Sequence, residues 1–138
     1  MYAAIGLTAE HLRSTYIGPL RKAVNDYDRQ ITLRPDFATA FCDASAEGFA
    51  HGSDGLVQDS LLLYRRWAFD VTAIERRVHR WQGLDDHLVP AAINKSVADR
   101  MPGAAWHPVE GAGHFVALGA ADDILAIAAD ELGAKLRS

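Results

Sequence analysis

The sequence has very little cysteine: Cys42 is the only one among 138 residues. A single cysteine excludes an internal disulfide framework and a cysteine-rich zinc site, and it is compatible with a reducing compartment. The favoured interpretation of Cys42 is a small buried apolar residue. The sequence therefore predicts a cytoplasmic protein without structural disulfides.

Positive charge and long apolar runs are also scarce. The net charge is −4 and the pI is near 5.8, so nothing attracts a nucleic-acid backbone or an anionic membrane surface. Residues 1–7 have no basic flank and too short an apolar run for a signal peptide, and no other run is long enough to span a bilayer. We therefore expect neither a nucleic-acid nor a membrane partner.

Signals for metals and cofactors are weak. The six histidines are scattered, with no i, i+4 pair and no carboxylate at ligand spacing, so the sequence predicts no metal site. The segment Gly111–Gly113 lacks the third glycine of a dinucleotide-binding turn and does not open a helix after a strand. Neither a metal nor a cofactor is expected.

Helical periodicity dominates the first 70 residues. Leu20, Val24 and Tyr27 form the apolar stripe of one amphipathic helix, which leaves Asp28 outside the stripe on the polar side. Two further helical stretches with apolar stripes follow before residue 70. We expect residues 1–70 to form a helical, cap-like part that packs against an apolar surface.

Residues 71–138 alternate between strand and helix patterns. Arg77–Gln82 and Ala104–Glu110 are expected strands, a helix opens at Pro90 between them, and a closing helix begins near Ala121. This alternation is typical of a parallel βαβ unit. The predicted class is α/β, with a helical N-terminal part followed by a small parallel β-α-β-α unit.

The first expected strand is unusual in composition. Arg77–Gln82 is half polar, whereas a central parallel strand is normally a near-continuous apolar run. Two interpretations are open: long side chains reach water across a thin sheet, or the segment is no longer selected for burial. The second interpretation favours a segment without catalytic function.

Two polar loops follow the expected strands. Residues 83–90, the acid loop, have the sequence G-L-D-D-H-L-V-P, and residues 111–114, the histidine loop, have the sequence G-A-G-H. In open parallel sheets such loops lie along the carboxyl edge, where ligands bind. We therefore expect a carboxylate oxygen of Asp86 to lie within about 3 Å of a ring nitrogen of His114.

These loops resemble the C-terminal part of an α/β-hydrolase, in which an acid loop G-x-x-D-x-x-V-P precedes a histidine loop G-x-G-H. The run Ala46–Asp70 is similar to the end of the helical cap in such enzymes. The resemblance implies a partial α/β-hydrolase fold, with Asp86 as the acid and His114 as the base of a Ser-His-Asp triad. It also implies hydrolysis of an ester-like or related small substrate.

The nucleophile of such a triad has no counterpart. In the family the serine precedes the acid on a G-x-S-x-G turn between a strand and a helix, and no such motif occurs here. Ser45, Ser53 and Ser60 lie on expected helices or in a capping loop, and the family's oxyanion loop is also missing. We therefore expect that the family's N-terminal part is absent and that the chain is inactive alone.

Two functions stay open on this basis. In one, the chain supplies the acid and the base of a hydrolase, which binds a small-molecule substrate once the missing part completes it. In the other, the chain is a non-catalytic remnant that persists as a folded oligomer or binding module. In either case two parallel strands leave an open edge, so we expect a homodimer or pairing with another chain.

Overall fold

The structure, a computed structural model of the chain, describes residues 13–136. The elements in chain order are α1 Arg13–Ala23, α2 Asp26–Leu33, α3 Pro35–Gly48, α4 Asp54–Leu63, a 3-10 turn Val71–Ala73, β1 Val78–Gly83, α5 Ala91–Ala98, β2 Ala104–Val109, α6 Val116–Gly119 and α7 Ala121–Leu136. The architecture is mixed α/β, with helices first and a strand-helix-strand unit after them. The predicted order of helical and β-containing parts is therefore confirmed.

A small apolar core holds the first three helices together. α1, α2 and α3 pack against one another, and Ile17, Val24, Ile31 and Cys42 are buried between them. Burying one side chain of the size of isoleucine or valine stabilises a fold by about 1.5–3 kcal/mol, so this cluster makes a large contribution to the helical part. Cys42 is fully buried, as its interpretation as a small apolar residue required.

The first helical stretch is divided where the sequence predicted one continuous helix. α1 runs through Pro19 and ends at Ala23, and α2 begins at Asp26. The break follows from Asn25, whose side-chain oxygen accepts the Asp28 backbone N–H at 3.0 Å and caps α2. The Asp28 side chain is buried, with 1% of its surface exposed, so the prediction that Asp28 lies on the polar side is wrong.

The sheet consists of β1 and β2, which pair in parallel. Their register joins Val78 to Ala104 at one end and Gly83 to Val109 at the other. α5 connects the two strands and packs against both. Both strands lie within one residue of their predicted bounds, and the part of the chain that the structure describes adds no third strand.

On the face of β1 that α5 covers, hydrogen bonds satisfy the polar side chains. Asn94 of α5 donates to Gln82 Oε1 at 2.6 Å and accepts a hydrogen bond from Arg80 at 2.9 Å. Gln82 is buried and also donates to the Gly83 carbonyl at 2.8 Å. A buried polar group is tolerated when its partners are present, so this face has no need of an apolar sequence.

The opposite face of the sheet carries a second polar network. His79 Nδ1 lies 2.9 Å from His107 Nε2, and His79 Nε2 lies 2.8 Å from Glu131 Oε1 on α7. The two imidazole rings are only 15° from parallel and their centroids are 5.1 Å apart, so the rings lie edge to edge with the two nitrogens in contact. Trp81 stacks on His107, with the ring centroids 4.2 Å apart. The polar side chains of β1 therefore form hydrogen bonds with side chains of β2, α5 and α7. Neither sequence-based interpretation contained this reason for the polar composition.

Several helices leave large apolar side chains in contact with solvent. α4 buries none of its residues. Ile93 on α5, and Leu125 and Leu132 on α7, are also exposed. Among residues 13–136, no helix combines the length and the apolar character needed to cross a bilayer.

Candidate active site

The acid loop and the histidine loop meet at the carboxyl end of the sheet. The acid loop begins at Gly83, the last residue of β1, and the histidine loop follows Val109, the last residue of β2; these two residues are partners in the strand register. The backbone N–H of Asp85 in the acid loop donates to the carbonyl of Ala112 in the histidine loop at 3.0 Å. A main-chain hydrogen bond therefore ties the two loops directly to each other.

Asp86 and His114 form a hydrogen-bonded pair between these loops. Asp86 Oδ2 lies 3.1 Å from His114 Nδ1, so the contact expected from the sequence is present. The Asp86 side chain is 6% exposed, whereas that of His114 is 39% exposed. The acid is shielded from water and the imidazole faces solvent, an arrangement in which a ring nitrogen can meet a ligand.

A local turn fixes the Asp86 carboxylate. Its Oδ1 accepts the backbone N–H groups of Leu88 at 2.8 Å and Val89 at 2.9 Å. An aspartate that bonds the backbone two or three residues ahead closes a tight turn of its own. The spacing of the acid loop therefore has a physical reason, because the residues after the aspartate supply the donors that orient it.

Opposing effects determine the pKa of Asp86. Burial acts to raise it, but the N–H groups of Val89 and Leu88 and the His114 imidazole together outweigh burial. The pKa of the Asp86 carboxyl therefore lies below its ordinary value. The group is ionised throughout the pH range in which histidine side chains ordinarily titrate.

An ionised carboxylate fixes the tautomer of the imidazole that faces it. Because Asp86 can only accept hydrogen bonds, the contact requires a proton on His114 Nδ1. In the neutral imidazole the Nε2 atom then carries the lone pair, and no group among the described residues forms a hydrogen bond with it. A histidine in this state can remove a proton from the hydroxyl of a ligand or from water.

Asp28 is a site residue that the sequence did not reveal. Its carboxylate accepts the backbone N–H of His114 at 2.6 Å and that of Phe115 at 3.0 Å. Asn25 joins it by donating to the Gly111 carbonyl at 3.1 Å. The local pattern contains no signal for this contact, since Asp28 and His114 are 86 residues apart.

The hydroxyl groups of Ser45 and Ser60 are bonded to carbonyls of their own helices. Ser45 Oγ donates to the Phe41 carbonyl and Ser60 Oγ to the Leu56 carbonyl, both at 2.7 Å. Ser53 precedes α4 and makes no capping hydrogen bond with its side chain. None of Ser45, Ser53 and Ser60 forms a hydrogen bond with His114, so none of the three is placed as an attacking group.

The other polar residues near the two loops are either exposed to solvent or bonded to partners outside the site. Asp85 and His87 of the acid loop are exposed. His79 and His107 belong to the network on the sheet face, with Glu131 as their carboxylate partner. Across residues 13–136, no group of three or more histidine, cysteine, aspartate or glutamate side chains is arranged to hold a metal ion.

Comparison with known proteins found no family model, no curated protein and no solved structure that matches the chain. Function is therefore inferred from the Asp86–His114 pair and from the residues that hold it.

Proposed function

We propose that the chain contributes the acid and the histidine of a cytoplasmic Ser-His-Asp hydrolase with an α/β-hydrolase fold. Its substrate is an ester-like or related small molecule. The observation that carries the proposal is the 3.1 Å contact between the shielded carboxylate of Asp86 and the solvent-facing ring of His114. The parallel strand-helix-strand unit supports it, because both loops leave the same edge of the sheet.

In this proposal the pair transfers protons during acyl transfer. His114 Nε2 takes the proton of an attacking hydroxyl and later gives it to the leaving oxygen. Asp86 holds the ring and stabilises the imidazolium, which it can do because it is ionised. The nucleophile and the oxyanion donors belong to a separate part of the hydrolase, and Asp86 and His114 complete the active site of that part.

The nucleotide sequence upstream of the codon for Met1 provides the test. We expect an in-frame strand followed by G-x-S-x-G upstream of Met1, and a protein expressed with that extension should hydrolyse p-nitrophenyl acetate. Replacing that serine or His114 with alanine should lower kcat about 10⁴-fold or more, because the residues of a triad act as one unit. A stop codon or an unrelated sequence upstream would support a non-catalytic role instead.

The 138-residue chain alone is the control for this experiment. It should release p-nitrophenol no faster than its His114→Ala variant, because the hydroxyls of Ser45 and Ser60 are engaged with helical carbonyls. A saturable rate that disappears when Ser45, Ser53 or Ser60 is replaced with alanine would contradict the proposal that the nucleophile lies elsewhere.

A second candidate function is a non-catalytic oligomer or binding module, which the exposed apolar faces favour. Each strand of the two-stranded sheet has one edge without a strand partner among the described residues. Leu125 and Leu132 are exposed on α7, and α4 buries no residue. A second copy of the chain would cover such surfaces in a two-fold dimer, the commonest form of oligomer.

Light scattering distinguishes the dimer from a monomer. At micromolar concentration we expect twice the chain mass of 15.0 kDa, with a melting temperature that rises with concentration. Leu132→Lys should shift the protein toward monomer by charging the apolar face of α7, whereas Asp130→Lys, at an exposed polar position of the same helix, should not. A wild-type monomer whose melt is independent of concentration would exclude the dimer.

A further inference from the structure

Asp28 of α2 binds the main chain of the histidine loop and of the residue after it. Its Oδ2 accepts the His114 N–H at 2.6 Å, and its Oδ1 accepts the Phe115 N–H at 3.0 Å. Asp28 is buried, so both bonds are shielded from water. Bonds from backbone N–H groups to a carboxylate are roughly twice as strong as bonds between neutral groups.

Asn25, the N-cap of α2, adds a second attachment. Its Nδ2 donates to the Gly111 carbonyl at 3.1 Å, while its Oδ1 accepts the Asp28 N–H at 3.0 Å and so orients Asp28. Together the two side chains bind three backbone polar groups within residues 111–115. Three bonds from one helix turn leave this loop much less conformational freedom than an exposed loop normally has.

The close approach of α2 explains the glycine that precedes His114. A Cβ atom on Gly113 would lie 2.7 Å from Asn25 Oδ1 and 2.7 Å from Asp28 Cγ. Both distances are shorter than any ordinary contact of a Cβ atom, so a larger residue would displace the side chains of Asn25 and Asp28 from the loop. The absence of a side chain at the second glycine of G-x-G-H therefore leaves room for Asn25 and Asp28 to approach the loop.

We propose that Asp28 is a positioning residue for His114, and that α2 is consequently a structural part of the site. His114 is held at two points, its main chain by Asp28 and its ring by Asp86. When the hydrogen bonds from Asp28 to the main chain are lost, the histidine loop changes conformation and the His114 ring moves away from Asp86. The inference rests on the proposed function only for the catalytic use of His114, since the positioning is a property of this chain alone.

The test is an Asp28→Asn substitution in the 138-residue chain, followed by NMR. The substitution keeps the shape but replaces one acceptor oxygen with an NH2 group, which then faces a backbone N–H. Well below the melting temperature, we expect the His114 and Phe115 amides to exchange with solvent about tenfold faster or more. We also expect the His114 Nδ1–H signal to shift strongly or to broaden beyond detection, because the ring leaves Asp86.

Asp26→Asn is the matched control, because it changes an exposed carboxylate of the same helix that pairs with Arg29. It should leave the amide exchange rates and the His114 Nδ1–H signal unchanged. An Asp28→Asn variant that melts earlier but keeps the wild-type Nδ1–H signal would overturn the positioning role and leave Asp28 a purely structural one.

A measurement on the wild-type chain applies even if Asp28→Asn does not fold. We expect scalar couplings across the hydrogen bonds, from the amide nitrogens of His114 and Phe115 to the carboxyl carbon of Asp28. A folded wild-type chain without these couplings would overturn the inference. None of these readouts involves ester hydrolysis, so a failure of the hydrolase proposal and a failure of the positioning role are distinguishable.

Discussion

Replacing Gly83 with alanine should lower the free energy of unfolding by about 3 kcal/mol. An added Cβ would lie 2.6 Å from the carbonyl carbon of Ala112, and closer still to the carbonyl oxygens of Ala112 and Gly113. These are backbone atoms, so no side-chain rotation relieves the overlap and the two loops must separate. Separation also breaks the contact between Asp86 and His114, and the Nδ1–H signal of the imidazole should disappear with it.

Gly55→Ala is the matched control for this substitution. A Cβ at Gly55, within α4, meets nothing within 4 Å. Because alanine is the better helix former, we expect a change of at most about 1 kcal/mol in favour of the folded state. Urea unfolding of both variants at one protein concentration makes the comparison, and equal unfolding midpoints would contradict the close packing of the two loops.

Asp86→Asn should reduce kcat about 10⁴-fold in the protein that carries the nucleophile, since a triad aspartate sets the tautomer of its histidine. The N–H groups of Leu88 and Val89 hold the Oδ1 position, so the amide oxygen takes that position and the NH2 group takes the position of Oδ2. That NH2 group then lies about 3.1 Å from His114 Nδ1 and donates to it. The ring proton moves to Nε2, and the ring can no longer accept a proton there.

The change of tautomer is measurable in the 138-residue chain itself by nitrogen-15 NMR of the imidazole. We expect the His114 proton on Nδ1 in the wild type and on Nε2 in the Asp86→Asn variant. Asp85→Asn changes an exposed carboxylate in the same loop and should leave the tautomer unchanged and kcat within about twofold. A proton on Nδ1 in the Asp86→Asn variant would contradict the assigned role of the carboxylate.

The strand-helix-strand unit was predictable because its signals are local. The bounds of β1, β2 and α7 in the structure agree with the sequence-based bounds to within about a residue at most ends. The contact between Asp86 and His114 was predictable as well, because loops that follow adjacent parallel strands leave the sheet at the same edge. The motif supplied the two residues, and the parallel pairing of the strands brought them together.

The helical part was predictable only as a set of helices. Apolar periodicity indicates that a stretch is helical, but it does not indicate where a capping side chain will interrupt it. Asn25 lies between α1 and α2 and caps α2, where the apolar periodicity predicted one continuous helix. The sequence also placed Asp28 outside the apolar stripe because its side chain is charged, whereas it is buried and accepts a hydrogen bond from the main chain of the histidine loop.

The sequence by itself determined the α/β class, the two loops and the identity of the Asp86–His114 pair, because each loop has a local motif and loops that follow adjacent parallel strands share one edge of the sheet. Only the tertiary structure decided what supports that pair. Asp28 reaches the His114 main chain from a helix 86 residues away, and Asn94 and Glu131 satisfy the polar residues of β1 from the helices on its two faces. Such partners are selected by packing in space, and local periodicity carries no information about them.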